Sequence, residues 1–166
     1  MEPDRPMIET YWVIPGRLLA GPYPGARYEA AAQQRIRRFL DAGITLFLDL
    51  TEEGEAAPYA QWLGGAARHR RMPIPDFGVP LPEQMARTLD LIDMAIKTPG
   101  AIYVHCLGGL GRSGAVVSCY LVRHGMSGEE ALATIRRLRK DTPFSTSPSP
   151  ETEAQRQMVL AWRQGQ

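Results

Sequence analysis

Cysteine is scarce in this chain. Only Cys106 and Cys119 occur, one in a glycine-rich turn and one in an apolar run, so no disulfide framework is available and a reducing compartment, the cytoplasm, is expected. Long apolar runs are missing as well: none approaches the roughly eighteen residues that a membrane-spanning helix needs, and no membrane partner is expected. The start, Met1 to Glu9, carries Glu2, Asp4 and Arg5 and no apolar core, so it is expected to be a flexible lead-in and not a secretion signal. Excess charge of either sign is lacking. A formal net charge of +1 provides no global field for nucleic acid, so none is expected as a partner, and any attraction for an anion has to be local. Internal repeats and low-complexity tracts are absent. What is present is 166 residues, 44% of them apolar, enough for one domain over residues 1–166 with a core of its own, expected to act as a monomer.

Along the chain, strand patterns alternate with helix patterns. Two short apolar pieces around Pro15-Gly16 predict a hairpin from Tyr11 to Ala20. Tyr28, Ala32, Ile36, Phe39 and Leu40 share one face of a helix over Arg27 to Ala42, which Gly43 ends. Ile44 to Leu50 is nearly continuous apolar sequence, the mark of a parallel strand covered on both faces. After the acidic loop Thr51 to Pro58, a short helix is predicted over Tyr59 to Ala67 and a weak strand over His69 to Ile74. The prolines and glycine of Pro75 to Pro80 then forbid regular structure. Pro82 to Lys97 has helical periodicity, Ala101 to Val104 is strand, and Ala115 to Val122 is a helix apolar nearly all round, hence central. Ser127 and Glu130 form a capping box for the next helix. Pro143 to Pro150 reads as loop, and Ser149-Pro150-Glu151 as the start of a last helix to about Arg163. The alternation predicts an α/β domain.

One stretch stands apart: His105-Cys106-Leu107-Gly108-Gly109-Leu110-Gly111-Arg112-Ser113-Gly114. It joins a strand to a helix, so successive backbone N–H groups of Leu107, Gly108, Gly109, Leu110, Gly111 and Arg112 converge on one concavity at a helix N-terminus, where an anion is held. A cysteine at the base of such a cradle ionises readily. The Arg112 guanidinium adds a planar fork of donors matched to a tetrahedral oxyanion. Nucleophile, cradle and clamp together point to phosphoryl transfer through a phosphocysteine, with no metal or other cofactor required.

These residues, with Trp12-Val13-Ile14-Pro15-Gly16-Arg17-Leu18, Leu50-Thr51-Glu52-Glu53-Gly54, Ile74-Pro75-Asp76-Phe77, Cys119 to Val122 and Ile135 to Arg139, make the chain similar to the cysteine-dependent protein tyrosine phosphatase superfamily, in particular its small dual-specificity, VHZ-like members. The resemblance implies a protein tyrosine phosphatase-like fold, with a central, mainly parallel sheet of about five strands flanked by helices. It implies Cys106 as nucleophile, Arg112 as phosphate clamp and Ser113 as the hydroxyl that steadies the departing sulfur. Asp76 takes the place of the general acid, and a proton donor there suits an aryl or alkyl oxide leaving group. Glu151 matches a position proposed to orient the hydrolytic water, with Gln155 assisting. The implied partner is a phosphorylated protein or peptide. The loop interior holds no Lys or His, which favours a substrate with a single phosphate.

Each assignment has a plainer competitor. Cys106 alone would read as a buried structural thiol, and Cys119 does read so. His105 suits a structural hydrogen bond better than proton transfer. Asp76 is a common loop former, Ser113 a helix starter and Glu151 a first-turn acid. Arg68, Arg70 and Arg71 read as solvated strand-edge charges, or as a basic patch near Asp76. Arg136 to Lys140 suit a helix C-terminus. Phosphoinositide or RNA 5′-phosphate hydrolysis, a non-catalytic phosphate-binding module and sulfur transfer remain as competing functions.

Overall fold

The computed structural model describes residues 2–166. Strands β1 (Tyr11–Ile14) and β2 (Leu18–Gly21) form the expected antiparallel hairpin, turned at Gly16, whose φ of 69° suits a residue without Cβ. Helix α1 (Glu29–Asp41) ends at Gly43, also left-handed at φ 86°. Strands β3 (Ile44–Asp49) and β4 (Arg68–Arg71), helix α2 (Pro82–Ile96), strand β5 (Ala101–His105) and helix α3 (Arg112–Arg123) follow, and α4 (Gly128–Leu138) and α5 (Glu153–Ala161) complete the chain.

The five strands lie in the order β1-β2-β5-β3-β4, parallel except for β1. β5 therefore sits between β2 and β3, every residue buried. Its side chains alternate between two cores as the strand period requires. Tyr103 joins Trp12, Ile36, Phe39 and Phe47 on the α1 side, while Ile102 and Val104 join Leu89, Val116 and Val117 on the side of the other helices. Each fully buried Leu or Val contributes about 1.5–3 kcal/mol. α3 is buried on all sides, with only Leu121 and Arg123 reaching partial exposure. This encloses the helix that receives the signature loop. No helix of the described residues is long and apolar enough to cross a membrane.

Several expectations need correction. Tyr59 to Ala67 holds only a 3-10 turn at Ala60–Trp62, because the Gly64-Gly65 pair, with Gly64 at φ 57°, stops propagation. β4 ends at Arg71, before Pro73 and Pro75. The last helix begins at Glu153 instead of Ser149: Thr152 Oγ1 accepts from Gln155 N and the Gln155 carboxamide accepts from Thr152 N, a capping box one step further on. That displacement leaves Glu151 outside the helix. Arg139 is buried, donating to Phe144 O at 2.7 Å and Ser147 O at 3.0 Å, so it braces the loop before α5 instead of decorating a helix end. The lead-in expected to be flexible carries defined contacts, with Trp12 Nε1 donating to Pro3 O at 2.9 Å and Arg5 to Thr10 O at 3.0 Å.

Candidate active site

The loop from Cys106 to Gly111 leaves the C-terminal end of β5 and runs into α3, the edge where open parallel sheets hold ligands. Cys106 is buried at its base, where Gly109 N–H donates to Sγ at 3.2 Å and Ser113 Oγ lies 3.3 Å from Sγ. Gly109 has φ 73°, and a Cβ there would fall 2.5 Å from the backbone of Gly21 and Pro22. The bare backbone at Gly109 is thus what lets the loop turn its amide onto the sulfur. A Cβ on Gly111 would meet Glu151 Oε2 at 2.8 Å, and one on Gly114 would clash with Ser149 Oγ. The segment before α5 accordingly lies directly on the loop, and Ser149 Oγ donates to Leu110 O at 2.6 Å. Leu107 O accepts from Tyr23 N at 3.0 Å, while Gly108 has open space around it.

Arg112, the first residue of α3, is only 2% exposed. Its Nη1 donates to Ile74 O at 3.0 Å and Glu55 Oε2 at 2.8 Å, Nη2 binds Glu55 Oε1, and Asp76 Oδ1 lies 3.1 Å from Nη2. Burial disfavours the guanidinium charge, but Glu55, Cys106 and Asp76 outweigh it and hold the arginine pKa above its ordinary value. In turn the Arg112 hydrogen bonds hold the Glu55 carboxyl below the usual range.

Asp76 is 46% exposed, on a turn where it accepts from Phe77 N at 3.0 Å. Phe77 has φ 60°, the one positive value at a non-glycine among the described residues, a conformation costing about 1–3 kcal/mol. Gly78 N–H to Pro75 O at 2.8 Å closes the turn, and Gln155 Nε2 donates to Gly78 O at 3.1 Å. The other end of that carboxamide accepts from Glu151 N and Thr152 N, both at 3.1 Å. A single buried side chain thereby ties the Asp76 turn to the Glu151 segment. Burial, with a smaller contribution from Asp76, pushes the Glu151 carboxyl up. Asp76 contacts the buried Arg112, and Glu151 lies against Gly111, so three charged groups gather beside the loop.

Comparison with known proteins bears on this arrangement. The family model described as "Swiss Army Knife protein, DSP-PTPase phosphatase domain" matches residues 8–162. Human dual specificity protein phosphatase CDC14C is 31% identical over 77% of this chain and 29% of its own length, and mouse CDC14B is 31% identical over 77% and 27%. The chain thus spans under a third of these curated relatives. Among solved structures, Tk-PTP in the active form superposes with a TM-score of 0.75 at 27% identity, covering 91% of this chain and 93% of that one.

The chain belongs to the dual-specificity branch of the cysteine protein tyrosine phosphatases.

As in the expected phosphatase fold, the strands and helices bring Cys106, Arg112, Ser113 and Asp76 to one place, with Glu151 and Gln155 at its border. His105 sits behind the loop of this phosphatase domain, wholly buried. Its Nδ1 lies 3.0 Å from Cys106 O and its Nε2 2.6 Å from Tyr59 OH. A carbonyl only accepts, so Nδ1 carries the hydrogen and Nε2 receives that of Tyr59. Burial, opposed by nearby Asp49, depresses the imidazole pKa from 6.5 to about 4, and the ring is neutral at physiological pH. Asp49 itself accepts from Thr51 Oγ1 at 2.6 Å, His69 Nε2 at 2.9 Å and Arg71 Nη2 at 3.2 Å. Burial favours its protonation, but the hydrogen bonds from His69 and Thr51, with His105 nearby, hold it below the usual range. Burial pushes the Cys119 thiol up to about 12, an inert core residue.

Sequence reasoning missed Glu55, Tyr59 and Ser149. Glu55 is one of several acids in a loop, with nothing local to distinguish it from Glu52 or Glu53. The local pattern puts Tyr59 in a helix and Ser149 at a helix start, which hides both roles. Among the described residues no group of His, Cys, Asp and Glu gathers in a form able to hold a metal ion.

Proposed function

We propose that this domain hydrolyses phosphomonoesters of protein tyrosine, and of serine or threonine, through a phosphocysteine. The observation that carries this reading is Cys106 Sγ accepting from Gly109 N–H in the loop that leads into Arg112 at the start of α3, with Asp76 on the Arg112 guanidinium. In the first step Cys106 attacks phosphorus, the Sγ–P bond forms and the ester P–O bond breaks. Asp76 leaves its contact with Arg112 and protonates the departing oxygen, while Arg112 and the loop amides hold the equatorial oxygens. In the second step water attacks phosphorus, Asp76 takes its proton, and the S–P bond breaks to release inorganic phosphate. Ser113 Oγ, beside the sulfur, stabilises the emerging thiolate. Glu151 orients the water, and Gln155 keeps Glu151 and the Asp76 turn in register.

The uncharged interior Leu107 to Gly111 supports substrates carrying one phosphate at a time. Two free cysteines, one of them the nucleophile, support work in a reducing compartment such as the cytoplasm. The test is hydrolysis of a chromogenic aryl phosphate by the protein and by Cys106→Ser, with and without a chelator. Activity retained in Cys106→Ser, or lost on chelation, overturns the mechanism. Rates on a phosphotyrosine peptide, a phosphoserine peptide, an inositol lipid and a triphosphorylated RNA assign the substrate.

A further inference from the structure

On the far side of the sheet from α1, a groove of about 420 Å³ lies between β4 and α2, floored by Leu46, Leu91 and Met94 and edged by Arg68, Arg70 and Arg87. Met94 is 70% exposed, unusual for a large apolar side chain within a defined groove. Among the described residues the three arginines make no ion pair and no side-chain hydrogen bond, whereas Asp90, the one acid on the groove, is bound by Arg123 at 2.8 Å. The opposite face of the same strand is different: His69 and Arg71 both contact the Asp49 carboxylate, at 2.9 and 3.2 Å. Free positive charge is thus confined to the α2 face of β4.

β4 is also the end strand of the sheet, with β3 as its only strand neighbour. Met72 N–H points to Asp49 O on β3, and successive residues alternate, so the N–H and C=O groups of His69 and Arg71 face the open edge. An extended chain pairing there would place every second side chain on the α2 face, opposite Arg68 and Arg70 and within reach of Arg87. Charge along an edge keeps copies of one chain apart, but it attracts a chain of the opposite sign.

We propose that the β4 edge and the α2 groove dock an extended acidic segment of a protein partner, with acidic side chains at alternate positions whose methylene stems lie against Met94 and Leu91. The open backbone edge favours a peptide over an anionic membrane, which has no strand to add, and the overall charge of +1 gives no long-range pull on either. The proposal does not depend on the catalytic reading.

The test is fluorescence anisotropy of a short labelled peptide alternating glutamate and valine, titrated with the full chain. Saturable binding is expected, weakened about tenfold by the double variant Arg68→Ser/Arg70→Ser and by N-methylation of alternate peptide amides. Unchanged Tm of the double variant reports an intact fold, and Arg87→Ala supplies a second, independent loss. Absence of binding, equal binding of a peptide with its glutamates in one block, indifference to both sets of variants, or equal displacement by phosphatidylserine vesicles overturns the proposal.

Discussion

Glu55 grips Arg112 with both carboxylate oxygens, one on each terminal nitrogen of the guanidinium, Nη1 to Oε2 at 2.8 Å. The guanidinium proposed to clamp the phosphate is thus held by a residue from the loop after β3. Replacing Glu55 with Gln removes one of the two acceptors and the charge. kcat/KM on an aryl phosphate should then fall by about 10–100-fold, since small misplacements of a positioned group carry such penalties. Inhibition by inorganic phosphate should weaken in parallel, and undiminished kinetics would show that Arg112 is oriented without Glu55.

Asp76→Ala should lower kcat by about 10²–10⁴-fold, with a smaller change in substrate affinity, because its proton moves chiefly in the transition state. The loss should shrink for phenols of low pKa, whose oxides leave unaided. A uniform loss across a leaving-group series would exclude the acid role.

Ser113→Ala should slow thiolate departure more than phosphorylation of Cys106. Rapid mixing should then show a burst of phenol, close to one equivalent per protein, followed by a slow steady state. A slow first turnover instead would place Ser113 in the first step or in folding.

His105 links stability to pH. Its folded pKa, about 4, is depressed from 6.5, so the folded state binds fewer protons than the unfolded chain between these values. The stability it contributes is complete above pH 6.5 and declines as pH falls toward about 4, by about 3 kcal/mol in all. Thermal unfolding should show Tm falling through that window, with a flatter profile in His105→Gln. The same slope in the variant would assign the dependence to other groups.

Much of the domain was legible locally. The hairpin at Pro15-Gly16, the Gly43 stop, the Ser127–Glu130 box and the strand–loop–helix around Cys106 each depend on neighbours in the chain, and each has its expected place. Where reading failed, a short-range pattern had two outcomes. Pro150-Glu151 and Thr152-Glu153 can both open a helix, and the reciprocal bonds of Thr152 and Gln155 decide for the second. Arg139 looks like any basic residue in a last turn until the carbonyls of Phe144 and Ser147 fold back onto it.

By itself the sequence determined the chemistry available: a thiol, an amide-rich turn and a guanidinium at fixed spacing, with an aspartate on a proline-bounded loop, because motif spacing and backbone preference are short-range properties. Only the tertiary structure decided which of the acids Glu52, Glu53 and Glu55 meets Arg112 and which face of β4 keeps unpaired charge. It also decided that Gln155 ties Asp76 to Glu151. Those outcomes depend on contacts between residues distant in the chain. Such contacts exist only once β5 has taken its place between β2 and β3, and the loops at their ends converge.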